Sequence, residues 1–247
     1  MSGCDTTAFL ALWNGIAREG DRAEYEHWHS FEHVPERTAL PGFVEAERYR
    51  STDAARSYFT LYRLASLDAL DTPMYRDVFT HPTPWSARMR ATLSDFYRLP
   101  CVQLGIHGLS RAPRLVTLRW RSNAADLPAQ LNVQLNAWLA EQVLHGRLVH
   151  AEWGWAPPSE AYWKPNMADD GTGGEGVEHC ALLWHFDVPA LEAACAALTA
   201  FLQPLASGLG TPQHFELQST VRNPSVRAPA TERMAPHATL FHHYTRG

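Results

Sequence analysis

One order of structural signals occurs twice along this 247-residue chain, and the repetition limits its fold more than any motif does. In the first half, AFLALWNGI (Ala8–Ile16) is an apolar run ended by Asn-Gly, which suits a buried strand. A helical stretch over about 21–37 follows, and Pro41-Gly42 turns the chain. FVEAERYR (Phe43–Arg50) and YFTLYRLA (Tyr58–Ala65) alternate with period two, as half-buried strands do. A helical pattern runs from Leu67 to about Leu93, interrupted by Pro73, Pro82 and Pro84, and Phe96–Leu104 reads as a fourth strand. The order is β-α-β-β-α-β, the ferredoxin-like unit.

The second half repeats it. RLVTLRWR (Arg114–Arg121) is a strand, and Leu127–Leu144 an amphipathic helix with Leu131, Leu135, Trp138 and Leu139 near one face. RLVHAEWGWA (Arg147–Ala156) and HCALLWHFD (His179–Asp187) are strands. A helix follows from Val188, and HFELQSTV (His214–Val221) closes the unit. Residues 157–178 form a long insertion with Gly171, Gly173, Gly174 and Gly176, of a length that points to function or disorder. These boundaries give an N-terminal unit over 1–110, a C-terminal unit over 111–222 and a tail over 223–247 that wraps the surface or moves. One such unit leaves an apolar sheet face open, and packing two face to face buries it. The expected fold is therefore α+β: two tandem ferredoxin-like units forming an intramolecular α/β barrel.

Bulk properties exclude several classes. Hydrophobic residues make up 45% and charged residues 19%, as in an ordinary globular protein. A net charge of −5 offers no basic footprint, so nucleic acid is not an expected partner. Cys4, Cys101, Cys180 and Cys195 form no metal-binding spacing and read as reduced thiols of a cytoplasmic protein. The N-terminal run is too short for a signal peptide, and no stretch approaches a membrane span.

The sequence W-H-S-F-E-H-V-P-E-R-T-A-L-P-G-F (Trp28–Phe43), followed by E-A-E-R-Y-R and Y-F-T-L-Y-R-L, resembles the dimeric α/β-barrel superfamily, and within it EthD-like proteins. Pro82–Trp85, with Ser86, Arg88 and Met89, is similar to the same group. The resemblance is specific over roughly the first hundred residues and covers the second half as an order of elements. It implies a small-molecule cavity between sheet and helices. It also implies homodimers of single units, so that this chain would be such a dimer fused. Members include monooxygenases, isomerases, cyclases and haem-binding peroxidases, so the fold names no reaction.

On a helical wheel Trp28, Phe31, Val34 and Pro35 share the side that would pack on the sheet. Glu32, His29, His33 and Glu36 fan along its flank. Three readings follow. H-S-F-E-H matches the H-x-x-E-H zinc pattern, yet no downstream carboxylate completes a ligand set. As an acid/base cluster, His33 would exchange a proton with substrate, oriented by Glu32 or Glu36 and supported by His29. The resemblance favours this, because similar proteins keep a cavity-facing histidine before that proline. The remaining reading is a solvated helix end with surface ion pairs. Trp28, Tyr58, Tyr62 and Trp85 are candidate substrate contacts.

In the second half Gln142 stands near the place of His33, so one unit carries a site and the other is degenerate. His150, His179, His185 and His214 lie on second-half strands, where a haem ligand would be sought. The expected function is cofactor-free acid/base chemistry (isomerisation, cyclisation or oxygenation) on a hydrophobic, aromatic or polyketide-like metabolite, with neither metal nor cofactor. The alternatives are a non-catalytic binding or accessory protein and a haem-binding barrel protein. The expected assembly is a monomer or a homodimer of tandem units.

Overall fold

β1 (Ala8–Ile16) is buried along its whole length, as an unbroken apolar run requires. It lies mid-sheet, paired antiparallel with β3 (Ser57–Leu64) and β4 (Leu93–His107), and β3 pairs with β2 (Phe43–Ser51). The computed structural model describes residues 6–122, 129–157, 176–223 and 233–245. In the second half β5 (Arg114–Ser122) pairs with β7 (Val177–His185) and β9 (Gln213–Arg222), and β7 pairs with β6 (His150–Ala156). The ladders β2–β9 and β4–β6 join the halves at both edges. The result is a closed eight-stranded antiparallel barrel, with a short β8 (Gly208–Leu209) beside β5.

The halves thus meet edge to edge around a shared interior, where face-to-face packing was expected. Closure gives the outer strands of each sheet partners for their backbone N–H and C=O groups, which face-to-face packing would leave unpaired. Period-two alternation sends Phe9, Trp13, Phe59, Leu61, Leu182 and Trp184 into one core drawn from both halves. Inside the barrel Trp13 Nε1 donates to Thr117 Oγ1 at 3.2 Å, and Trp184 Nε1 to Tyr49 Oη at 2.9 Å.

The barrel also encloses charge. Buried Arg63 reaches Glu152 of the other half at 2.6 Å, Glu47 at 3.6 Å and Glu45 at 3.9 Å. Arg111 pairs with Glu45 at 2.7 Å and Glu47 at 3.2 Å, and His150 Nε2 meets Glu152 at 2.6 Å. Burial alone would raise the Glu152 carboxyl, but Arg63 and His150 more than offset it and hold it at about 2.

Helices cover the outside. The expected first helix runs as α1 (Arg22–Trp28), a π-helical turn (His29–His33) and α2 (Val34–Thr38). Proline breaks the second helical stretch as expected. Thr72 caps α3 (Pro73–Thr80) and Thr83 caps α4 (Pro84–Arg90), each with proline at a first-turn position where no N–H is needed. α5 (Ala129–Leu144) and α6 (Val188–Leu202) cover the second half through Leu135, Leu139 and Leu198. β4 runs three residues beyond its expected span at each end. Among the described residues no helix is long and apolar enough to cross a membrane. Cys101, Cys180 and Cys195 are buried and unpaired.

The tail takes the first of its two expected forms, lying on the surface, and adds a helix that was not expected. It ends in α7 (Ala238–Thr245), which packs on the N-terminal half through Leu240, Phe241 and Tyr244 against Trp28 and Trp85. Those three large side chains supply the apolar face that holds it. Residues 158–175, most of the Gly-rich insertion, lie outside the described residues, as does Cys4.

The π-turn overturns one expectation about faces. Val34 N–H bonds back to His29 O, five residues earlier, which adds one residue to this turn. Pro35 has no N–H, and its ring would press on the Phe31 carbonyl in a regular helix; the wider turn gives it room. One extra residue rotates the helix faces by about 100°. Phe31, expected against the sheet, is 50% exposed, while Glu32 and Glu36 turn inward. Phe31→Ser should therefore cost under about 1 kcal/mol, measured by urea unfolding, whereas a core phenylalanine would cost several times more.

Candidate functional site

Tyr25, Trp28, His29, Glu32, Val34 and Glu36 line the buried face of the 22–38 helical segment, over the outer face of β1, β3 and β2. His29 is 4% exposed, so it is not part of a solvated helix end. Buried Arg48 of β2 clamps it from the sheet. Arg48 Nε donates to His29 Nδ1 at 2.7 Å, Nη2 to Glu26 at 2.8 Å, and Nη1 to Ser30 Oγ. Because Nδ1 accepts, the His29 proton sits on Nε2. The ring stacks between Tyr25 at 4.9 Å and His33 at 5.1 Å.

His33 differs from His29 in two respects, the first being that its ring is only half-buried. Its Nδ1 is buried and has no hydrogen-bond partner in the protein. The ring lies against Trp28, with centroids 4.2 Å apart. Burial lowers both imidazoles well below the ordinary histidine range, and Arg37 deepens the shift at His33 as Arg48 does at His29. Both are neutral at pH 7. On the facing strand Thr60 Oγ1 is also buried without a protein partner. Buried polar atoms are nearly always bonded, yet Tyr58 Oη and Arg37 Nη2 share this condition with His33 Nδ1 and Thr60 Oγ1.

The carboxylates do not orient the histidines. Glu32 accepts from Thr83 Oγ1 at 2.5 Å, Ser86 Oγ at 3.3 Å and the backbone N–H of His237 at 2.8 Å. Glu36 accepts from Arg37 at 3.1 Å and from Arg233 at 2.5 Å. Arg233 also binds Asp77 and the His81 carbonyl. The two glutamates therefore tie the helical segment to α4 and the tail. The H-x-x-E-H spacing does not converge on one point, since Glu32 turns to Thr83 while His29 faces Arg48. Among the described residues no three His, Cys, Asp or Glu side chains gather as a metal site.

The aromatic candidates divide. Trp28 and Trp85 are fully buried, with Nε1 donating to Ser86 Oγ and to Glu24 respectively, so they brace helix against helix. Tyr58 packs on Tyr25 at 4.5 Å, and burial, then the Glu26 charge, pushes its phenol up to about 12. Burial also pushes the Tyr62 phenol up; Arg37, the largest charge acting on it, works the other way. A cavity of about 310 Å³ opens between His81, Thr83 and residues 233–236.

Arg37 was expected only as an ion-pair partner of Glu36, which it is, whereas Arg48, Thr60 and Arg233 were not anticipated. Arg48 had a signal: it falls in phase with Ala46 on the core-facing side of β2, where a charge needs a buried partner.

In the second half Gln142 bonds to the Trp138 carbonyl at 3.4 Å and accepts from Arg147 at 3.0 Å, which fastens the end of α5. Among the described residues each strand histidine has a polar partner through one ring nitrogen, and His214 is part-exposed. His150 is committed to Glu152, His185 to the backbone of Asp187, and His214 to Asp53. His179 bonds Ser122 at 2.9 Å and lies wholly buried under Trp120, which stacks on it at 5.0 Å. His150 and His179 each keep one buried ring nitrogen, Nδ1, without a protein partner. Burial holds His179 down at about 4.

These buried imidazoles set a pH response. Unfolded histidine titrates near 6.5, whereas His29, His33 and His179 stay neutral well below that in the fold. Their contribution is complete above about pH 6.5 and is lost as pH falls toward each folded value, because the unfolded chain binds protons first. Each adds a slope of up to about 1.4 kcal/mol per pH unit. The urea midpoint should drop between pH 7 and 5 at fixed ionic strength; a flat midpoint would show these rings titrating normally.

No protein-family model matches the chain, and no curated protein does. Solved structures share its fold at low identity. An anthrone oxidase-like protein superposes with a TM-score of 0.61 at 10% identity, over 94% of this chain and 99% of its own. A candidate monooxygenase from Lactobacillus acidophilus NCFM gives 0.56 at 7%, over 88% and 97%. A candidate chlorite dismutase gives 0.54 at 12%, over 87% and 96%. These are dimeric α/β-barrel superfamily proteins, and this chain has their barrel fold.

Proposed function

We propose that this protein is a small-molecule enzyme in which neutral His33 takes a proton from an aromatic or polyketide-like substrate held between the 22–38 segment and the sheet. The observation that carries this reading is His33 Nδ1, a buried base with no partner in the protein. Its depressed proton affinity keeps it unprotonated at pH 7, in the form that can accept a proton. The Arg37 charge, and more weakly that of Arg48, supports that state directly. The two glutamates act as struts, Trp28 and Trp85 shape the wall, and Tyr58 and Tyr62 face the ligand. The carbanion or phenolate so formed is the species that isomerises, cyclises or meets oxygen without a cofactor. The names of the anthrone oxidase-like and monooxygenase neighbours agree with such chemistry.

The proposal includes descent from two ferredoxin-like units, over 1–110 and 111–222, the second without a working site, and kinship with EthD-like proteins. Both halves have the strand order fourth-first-third-second. The cross-strand pair Asn14–Tyr58 occupies the same register step in its half as Trp120–His179 does in the other. A binding or accessory protein is the second reading, favoured by the full commitment of Glu32 and Glu36 to structural bonds.

Anthrone, whose methylene protons are acidic, separates the two. In deuterated buffer the enzyme reading expects its exchange to be accelerated by the protein and the acceleration to vanish in His33→Ala. Tight binding with no acceleration would favour the binding reading.

A further inference from the structure

Arg37 lies one helical turn beyond His33 and is 4% exposed. Its Nη1 donates to the His33 carbonyl at 3.3 Å and to Glu36 at 3.1 Å. Its Nη2 is buried and has no partner in the protein. Glu36 divides its oxygens between Arg37 and Arg233, so Arg37 has no carboxylate to itself. The guanidinium lies over the Phe79 ring at 5.5 Å, which fixes its plane. Arg90 approaches the same ring at 5.2 Å, with its own donors spent on the Val78 and Phe79 carbonyls. The bonds of Arg37 to protein run through Nη1, and both N–H groups of the buried Nη2 are left without an acceptor. A buried guanidinium N–H without an acceptor is costly and is met at sites that receive an anion.

We infer that Arg37 Nη2 receives the oxyanion that forms when His33 deprotonates the ligand, and hence that the ligand is a phenol or an enolisable aromatic ketone. The inference rests on the reading of His33 as the base. In the step, the bonding pair of the ligand C–H or O–H stays on the ligand. The proton moves to His33 Nδ1, and the negative charge collects on an oxygen attached to sp² carbon. Nothing is oxidised or reduced. Arg37 is then a catalytic residue, in contact with the atom where charge develops, and acts as an oxyanion donor does in a water-poor site. The planar fork suits an oxygen in the plane of an aromatic ring, and a lysine ammonium would reproduce the charge without that direction.

The probe is 4-nitrophenol, whose phenolate absorbs apart from the phenol. The wild-type protein should bind the phenolate form, lowering its apparent ionisation midpoint by about one pH unit or more, as an opposite charge within 4–6 Å does. Arg37→Gln should lose that shift, and Arg37→Lys should recover part of it. His33→Ala should keep it, since the cation remains. A full shift in Arg37→Gln overturns the inference. A second measurement needs no variant: wild-type protein should bind 4-nitrophenol at least about tenfold more tightly than nitrobenzene, which lacks the hydroxyl. Equal affinities also overturn it. Failure of the His33 reading looks different: the Arg37-dependent shift would persist while anthrone exchange was unaltered in His33→Ala.

Discussion

His33→Ala should lower protein-catalysed exchange of anthrone by about 10²–10⁴-fold, the usual effect of removing a general base, while anthrone affinity changes by only a few-fold. His33 has no hydrogen bond through Nδ1 to lose, so the substitution removes the proton acceptor without breaking a structural bond at that atom. His33→Gln keeps polarity but cannot take a proton at neutral pH, and it should behave like His33→Ala. Gln142→Ala, at the matching place in the second half, should leave exchange unchanged, because Gln142 fastens a helix end. Equal losses in His33→Ala and Gln142→Ala would mean that both act through stability.

Arg63→Ala should destabilise the fold by about 3–5 kcal/mol, the range for breaking a buried ion pair from one side. The cost comes from what remains. Glu152, Glu47 and Glu45 converge on Arg63 from both halves of the barrel, and removing the guanidinium leaves three carboxylates facing one another. Arg111 still neutralises Glu45 and Glu47, whereas Glu152 keeps only His150 and Gln103. The loss should shrink as pH falls from 7 to 5, because protonating a carboxyl relieves the repulsion. Urea unfolding measures both effects. A loss below 1 kcal/mol would show that solvent, and not Arg63, neutralises these carboxylates.

The strands were legible because period-two alternation and Pro-Gly punctuation are local signals, and the interior core follows from them directly. Edge-to-edge closure was less visible, since it depends on β2 meeting β9 and β4 meeting β6, pairings distant in sequence. The cluster at His29, Glu32, His33 and Glu36 was visible as a group of chemically capable side chains. Their roles were not, because a wheel assumes 100° per residue and the π-turn departs from it. That departure exposes Phe31 and directs Glu32 toward Thr83 and the tail. Arg48, which governs His29, sits nineteen residues away on a strand and meets it only through the fold. The tail docked for a reason present in the sequence, the large side chains of Leu240, Phe241 and Tyr244, but nothing local indicated which face they would cover.

The most direct test of the central claim, that half-buried His33 is a neutral base whose buried Nδ1 faces a ligand, is ¹⁵N NMR of histidine-labelled protein, with His33 assigned through His33→Gln. From pH 7 to about 5.5 the His33 ring nitrogens should keep the shifts of a neutral imidazole, and Nδ1 should respond when anthrone is added. An imidazole that protonates near the unperturbed value of about 6.5, with nitrogens indifferent to anthrone, would contradict the account.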